Sequence, residues 1–320
     1  MIPENLVFLQ AVSHEPYFVW QTEVQIVNFR KFGISDRMQI IVWYHKGSTH
    51  LPRWMALKRK YSEVNIYFYE DSGVNLGLYI PQLRPHSFKK HFKKYQEELK
   101  DKVFFYHDAD IIFRELPDFE KLIQDDIVWE SNTTGYLDYS YLHRKELQGN
   151  IENNEAVKEL ARIGGITVDT IKSYDAKTGG AQYLLKNIDY NFWEDVEGMC
   201  IDIRRSFFHN ITGSINNRYF KTEALGFQSW CADMWAVNFS LWKRGIQTGI
   251  TPELDFSWAT DSMETYNKKP IYHNAGASNT TPGVFYKGAW INRSPIGQDI
   301  SASINSASLA YVNAIKEVKI

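Results

Sequence analysis

The first hundred or so residues alternate short apolar runs with stretches of helical spacing, and this rhythm restricts the chain more than any other feature. Leu6 to Val12 (LVFLQAV), Met38 to Tyr44 (MQIIVWY), Asn65 to Tyr69 (NIYFY) and Val103 to Tyr106 (VFFY) read as buried strands. Between them, Tyr17 to Phe32 carries Val19, Trp20, Val24, Val27 and Phe29 at helical spacing and is stopped by Gly33. Pro52 to Tyr61 is a basic helical stretch. Pro85 to Leu99 reads as an amphipathic helix with Pro at its start and Phe88, Phe92 and Tyr95 on one face. Strand–helix repeats of this length predict an α/β fold with a mostly parallel, helix-covered sheet.

The rhythm is lost after residue 127. Residues 131–178 hold a polar, Tyr-rich stretch and a helix predicted over Asn154 to Ile163, and we expect an insertion over one edge of the sheet. Lys186 to Ile203 is helix-like around Phe192 and Trp193. Ser229 to Arg244 is an apolar helix stopped by Gly245, and Ile246 to Pro252 and Pro270 to His273 look like short strands. The expected organisation is one domain over residues 1–297, inserted at about 130–178, with 298–320 as a terminal helix or tail. The 320 residues are 44% hydrophobic and 15% aromatic, enough for a sizeable core and unlike a disordered or low-complexity chain.

Thirty-six basic and 38 acidic residues leave a formal charge of -2, which gives non-specific nucleic-acid binding no global support. The lysines at 89, 90, 93 and 94 read as a solvated helix face. Two cysteines, Cys200 and Cys231, make neither a disulfide framework nor a zinc site, so a reducing, cytoplasmic setting is expected. The N-terminal apolar run lacks a basic flank and a cleavage signal and is read as a core strand. No stretch approaches the length of a membrane span. There is no GxxxxGK[ST] loop, no GxGxxG after the first strand and no GxSxG elbow.

Chemistry concentrates in Lys102 to Phe113, KVFFYHDADIIF. An apolar run leads straight into His107-Asp108-Ala109-Asp110. Ligands of open α/β sheets bind at the carboxyl ends of strands, and two carboxylates two residues apart there can share one hard cation and, through it, a diphosphate. The competing reading is a surface turn with two solvated aspartates. Other candidates are the Gly179-Gly180 pair before Gln182, and Asp233 inside the apolar SWCADMWAVNF, with Glu223 as a less apolar competitor.

A strand ending in Asp-X-Asp after two or three strand–helix units resembles the GT-A nucleotide-sugar glycosyltransferases. Tyr79 to Phe92 (YIPQLRPHSFKKHF), Asp233-Met234-Trp235-Ala236 and His273-Asn274-Ala275-Gly276 follow in an order similar to the plant hydroxyproline O-arabinosyltransferases and peptidyl-serine galactosyltransferases. The likeness spans roughly residues 5 to 290, with firm anchors over a few dozen. It implies a GT-A-like fold and a Mn²⁺ or Mg²⁺ ion held by Asp108, Asp110 and His273. A late His-X-X-Gly-X-X-Lys-Pro-Trp motif is matched by His273, Gly276, Lys287 and Trp290, with a longer loop and Ala289 in place of Pro.

The resemblance further implies Gln10, Ala11, Val12 and Ser13 as the base-binding wall. Arg84, Ala109, Gly180 and Lys287 would join Asp108 on the nucleotide sugar, and Gln182 and Asp233 would orient sugar and acceptor. The expected reaction moves a pentose or hexose from a UDP-sugar to a hydroxyl with retention. The acceptor hydroxyl is on a peptide, a glycan or a hydroxymethylated base in DNA, the last fitting a phage-encoded relative. The alternatives are a non-catalytic carbohydrate- or nucleotide-binding protein and a metal-dependent phosphoryl hydrolase.

Overall fold

The computed structural model describes residues 2–72, 74, 77, 79–149, 153–207 and 228–319. Its strands are β1 (Leu6–Ser13), β2 (Met38–Tyr44), β3 (Asn65–Glu70), β4 (Val103–Tyr106), β5 (Ile111–Phe113), β6 (Val128–Asn132), β7 (Gly179–Leu185), β8 (Thr248–Ile250), β9 (Phe256–Trp258) and β10 (Ile271–His273). The chain forms two compact units, one of residues 1–73, 103–124 and 252–320 and one of residues 74–102 and 125–251.

In the first unit β3, β2, β1 and β4 lie side by side, all parallel. Leu6 to Val12 are buried without alternation, because crossover helices cover both faces of a parallel sheet. Phe8 is fully buried and meets Phe29, Phe105, Phe113 and Phe119 edge-on at 5.4 to 6.2 Å. Truncating such a residue to alanine removes about 3–5 kcal/mol. The Pro16–Lys31 helix starts on proline, whose missing N–H no helix needs there. It ends with Gly33 at φ +69°, while the N–H of the buried Ile34 reaches the carbonyl of Phe29. A small second sheet orders β5, β10 and β9, with β10 antiparallel to β5 and parallel to β9. The C-terminal stretch does not trail loose. Its Ser308–Glu317 helix sets Tyr311, Val312 and Ile315 into one cluster with Trp20, Val24 and Tyr272.

In the second unit β6 pairs antiparallel with β7 and parallel with β8. The helices Leu83–Lys94, Tyr190–Phe207 and Ala232–Lys243 belong to it. Phe88 and Phe92 pack on Trp193, with ring centroids 4.5 and 5.9 Å apart, while Glu197 ties His86 and Lys89 at 2.7 and 2.6 Å.

Two sequence expectations are corrected. The helix expected over Pro85 to Leu99 begins at Leu83 and stops at Lys94. Tyr95 leaves helical geometry (φ −114°, ψ 31°) before a last turn, Gln96–Leu99. The loss of regularity after residue 127 is only apparent. Val128–Asn132 is a sheet strand, the helix expected over Asn154 to Ile163 is present as Glu155–Gly164, and helices Tyr139–Gln148 and Val168–Ser173 flank it, each too irregular or short for its period to stand out among tyrosines. Among the described residues no helix is long and apolar enough to cross a membrane.

Candidate functional site

Strand β4 ends at Tyr106, and the chain turns through His107, Asp108, Ala109 and Asp110 into β5. The β5–β10 register sets His273 against Ile111, and the N–H of Asn274 reaches the Asp110 carbonyl at 3.0 Å. A short antiparallel pair therefore carries a late histidine to the aspartates. His273 Nε2 lies 3.5 Å from Asp108 Oδ2 and 3.5 Å from Asp110 Oδ1. Its ring stacks on Trp258 at 5.7 Å and meets Phe256 at 5.4 Å, which limits its rotation.

The donor atoms of Asp108, Asp110 and His273 all lie within 4.8 Å of one another. Neighbouring ligands of an octahedral ion with bonds of about 2.1 Å stand about 3 Å apart, so this oxygen-rich set fits a small divalent cation with little movement. Asp108 is the open side of the group, 28% exposed, while Asp110 and His273 are buried.

Lys287, in the turn Lys287–Trp290, pairs its ammonium with Asp110 Oδ2. Burial alone would raise the Asp110 carboxyl, but the Lys287 ammonium and the His273 ring against it win and hold it well below the usual carboxylate range. Burial would likewise lower Lys287, and the Asp110 carboxylate holds it above its ordinary value. Both groups are therefore charged at neutral pH. His107 is buried and points inward, and burial pulls its imidazole down to about 4, so it stays neutral. Gln10, Ala11 and Val12 are buried within β1, Ser13 is half-buried at its end, and Ala109 is buried in the aspartate turn.

The remaining expected residues lie in the second unit. Asp233 enters the first turn of its helix and is fully engaged. Tyr79 Oη lies 2.7 Å from Asp233 Oδ1, and Arg84 pairs with Oδ2. Arg84 and Asp233 are thus one ion pair. Gly180 and Gln182 lie on β7. A register shift sets the single Ser131 opposite Gly180, Ala181 and Gln182. Ala181 takes φ +68°, a left-handed conformation that non-glycine residues seldom adopt. Ser131 Oγ donates to Gln182 Oε1 at 2.7 Å, fixing the amide. Glu223 lies outside the described residues.

Sequence reasoning missed three supporting side chains. Gln25 Nε2 donates to the carbonyls of Asp108 at 3.0 Å and Ile111 at 3.4 Å. Asn28 clamps β5, donating to the Phe113 carbonyl at 3.0 Å and accepting from its N–H at 2.8 Å. Both stitch the aspartate turn to the Pro16–Lys31 helix. The signal was available: Gln21, Gln25 and Asn28 recur at i, i+4 and i+7 beside Trp20 and Val24, a polar stripe on a core-facing helix side. The third is Glu130, buried on β6, whose Oε2 accepts from the Gly179 N–H at 2.8 Å while Oε1 has no partner. Burial pushes its carboxyl well above the usual range, and the Gly179 bond lowers it only in part.

No family model and no curated protein matches this sequence. Solved structures do. The bifunctional glycosyltransferase WbbM, in its apo form, is 11% identical at a TM-score of 0.50, covering 99% of this chain and 51% of that one. The galactosyltransferase LgtC, solved with donor and acceptor sugar analogs, is 13% identical at 0.42, covering 98% of this chain and 96% of that one. Mouse xyloside xylosyltransferase 1, in its apo form, is 10% identical at 0.41, covering 88% and 100%. The chain spans about half the length of the WbbM structure. The WbbM likeness shows the fold: an α/β, GT-A-like architecture with a mostly parallel sheet flanked by helices, shared with part of a glycosyltransferase.

Proposed function

We propose that the protein transfers a sugar from a nucleoside-diphosphate donor to an acceptor hydroxyl, using a divalent cation held by Asp108, Asp110 and His273. The observation that carries this reading is the convergence of those three donors at the carboxyl end of a parallel strand, with the Lys287 ammonium beside them. Two carboxylates and one imidazole suit Mn²⁺ or Mg²⁺. Bound there, the ion supplies positive charge where the leaving diphosphate accumulates negative charge. Lys287 adds a second positive charge from the protein itself, already set against Asp110 and within a side chain's swing of any phosphate beside it. Gln25 and Asn28 keep the aspartate turn from reorganising as charge moves.

The finer reading rests on the sequence resemblance. The donor is a UDP-sugar carrying a pentose or hexose such as arabinose, galactose or glucose, and the transfer retains configuration. Gln10, Ala11, Val12 and Ser13 line the base, chiefly through Ser13 and main-chain groups because the other side chains are buried. Ala109 and Gly180 allow close main-chain approach to the donor. The resemblance assigns Gln182 to the donor sugar and Asp233, with Arg84, to sugar or acceptor hydroxyls; the Gln182 amide is buried and held by Ser131, and Asp233 is buried against Tyr79 and Arg84. The formal charge of -2 favours a peptide or glycan hydroxyl over a hydroxymethylated base in phage DNA, and the two free cysteines, Cys200 and Cys231, favour a reducing, cytoplasmic setting.

Calorimetry with a panel of nucleotide sugars, with and without Mn²⁺, on the wild type and Asp110→Ala tests the reading. We expect Mn²⁺-dependent binding of a UDP-sugar that the variant loses. A folded wild-type protein that binds no nucleotide sugar overturns it.

A further inference from the structure

Three histidines gather at the carboxyl end of β1 and β2, sharing no residue with the Asp108 group. The register of these strands sets Ser13 beside Trp43, so His14 and His45 leave adjacent strands at the same edge. His50 directly precedes the Leu51–Lys60 helix. The His14 ring centroid lies 4.6 Å from that of His45 and 5.6 Å from that of His50, the second pair stacked. Glu15 closes the group, with Oε1 3.6 Å from His14 Nε2 and Oε2 3.8 Å from His50 Nε2. His14 is only 2% exposed. Its carbonyl is held by the Trp54 indole N–H at 3.1 Å, and its Nδ1 has no hydrogen-bond partner among the described residues.

Packing imidazoles this closely is unfavourable if all are protonated and useful if they share a cation. The set also differs in kind from Asp108, Asp110 and His273. It is rich in imidazole nitrogen, which suits zinc-class ions better than Mg²⁺.

We propose that His14, His50 and Glu15 form a second cation site, for Zn²⁺ or a similar borderline ion, with His45 available as a fourth ligand. Tetrahedral zinc with bonds of about 2.0–2.1 Å sets its donors about 3.3 Å apart; here Glu15 stands 3.6 Å from His14 and 3.8 Å from His50 through its two different carboxylate oxygens. The group stands wider than the Asp108 group. Glu15 and His50 close it by turning onto the buried His14, and their side chains, 47% and 35% exposed, are free to do so. The bound ion would tie the end of β1 to the start of the Leu51–Lys60 helix and order residues 45–50 between them.

The test is direct metal binding without nucleotide, so its outcome is independent of the transferase reading. The full chain is titrated with Zn²⁺ by calorimetry and with Co²⁺ by visible absorption. We expect a Zn²⁺ site that persists in Asp108→Asn/Asp110→Asn, and Co²⁺ bands of a four-coordinate, nitrogen-bearing site. Glu15→Gln/His50→Ala changes two solvent-facing side chains. It should weaken that Zn²⁺ site at least about 100-fold and remove the Co²⁺ bands, with Mn²⁺ binding unchanged. If the Asp pair fails to fold when substituted, loss of one Zn²⁺ per chain in Glu15→Gln/His50→Ala alone carries the same information. Zn²⁺ stoichiometry and affinity unaltered by Glu15→Gln/His50→Ala, or no Zn²⁺ bound beyond the Asp108 group, overturns the proposal.

Discussion

Glu130 makes the stability of the second unit depend on pH in a direction opposite to most carboxylates. It is fully buried, accepts one hydrogen bond from the Gly179 N–H, and has no cation against it. Burial therefore keeps it protonated in the folded state, whereas in the unfolded chain it titrates near the ordinary value of 4.5. The folded state thus binds a proton that the unfolded state releases. Stability from this group is fully present below about pH 4.5 and falls by about 1.4 kcal/mol per pH unit above it, until the raised folded pKa is passed.

While it stays protonated above pH 4.5, Glu130 costs about 1.4 kcal/mol for each pH unit relative to a group that does not titrate. Glu130→Gln keeps the shape and the acceptor for Gly179 but cannot ionise. Urea denaturation of both proteins between pH 5 and 8 isolates the effect, because other titrating groups cancel in the difference. The variant's advantage should grow by about 1.4 kcal/mol per unit as the pH rises from 5, until the raised folded pKa is passed. Should the two units unfold separately, the transition that responds is that of the second. Parallel stability profiles for the two proteins would refute the reasoning, since they would mean that Glu130 is ionised when folded.

Two further outcomes are expected. A Cβ at Gly179 would collide with Glu130 Cβ and lie 2.6 Å from the Ser131 carbonyl, whereas one at Gly180 would chiefly meet the flexible end of Met234. Gly179→Ala should therefore destabilise by about 3 kcal/mol and Gly180→Ala by about 1 kcal/mol, measured by chemical denaturation. Asn28→Ala strips both partners from the buried main chain of Phe113. It should destabilise the first unit by about 2–4 kcal/mol and weaken Mn²⁺ binding more than the surface change Lys31→Ala on the same helix, measured by denaturation and calorimetry in parallel.

Much of the first unit was legible because its signals are local. An apolar run such as MQIIVWY cannot be satisfied except as a buried strand, and the Pro16 start and Gly33 stop of the first helix are decided within a few residues. The second unit was harder to read. Its helices between β6 and β7 are six to ten residues long, and β7 carries Gly179, Gly180 and a left-handed Ala181, which local propensity counts against a strand. Glu130 could not have been singled out at all, because a glutamate one residue before Ser-Asn reads as a solvated strand end until the fold buries it.

The sequence by itself determined the order of strands and helices and placed Asp-X-Asp at the end of β4, since both follow from neighbouring residues. His273 and Lys287 entered the sequence reading only through likeness to other proteins. Nothing in the spacing tied them to Asp110. Only the tertiary structure decided that they meet it: Lys287 reaches Asp110 across 177 positions, and His273 arrives through a pairing of two three-residue strands. Strands so short have no register of their own. Theirs is set by the packing of Ile112 and Tyr272 into the core with Trp20 and Tyr311, a balance of contacts that exists only once the whole first unit has formed.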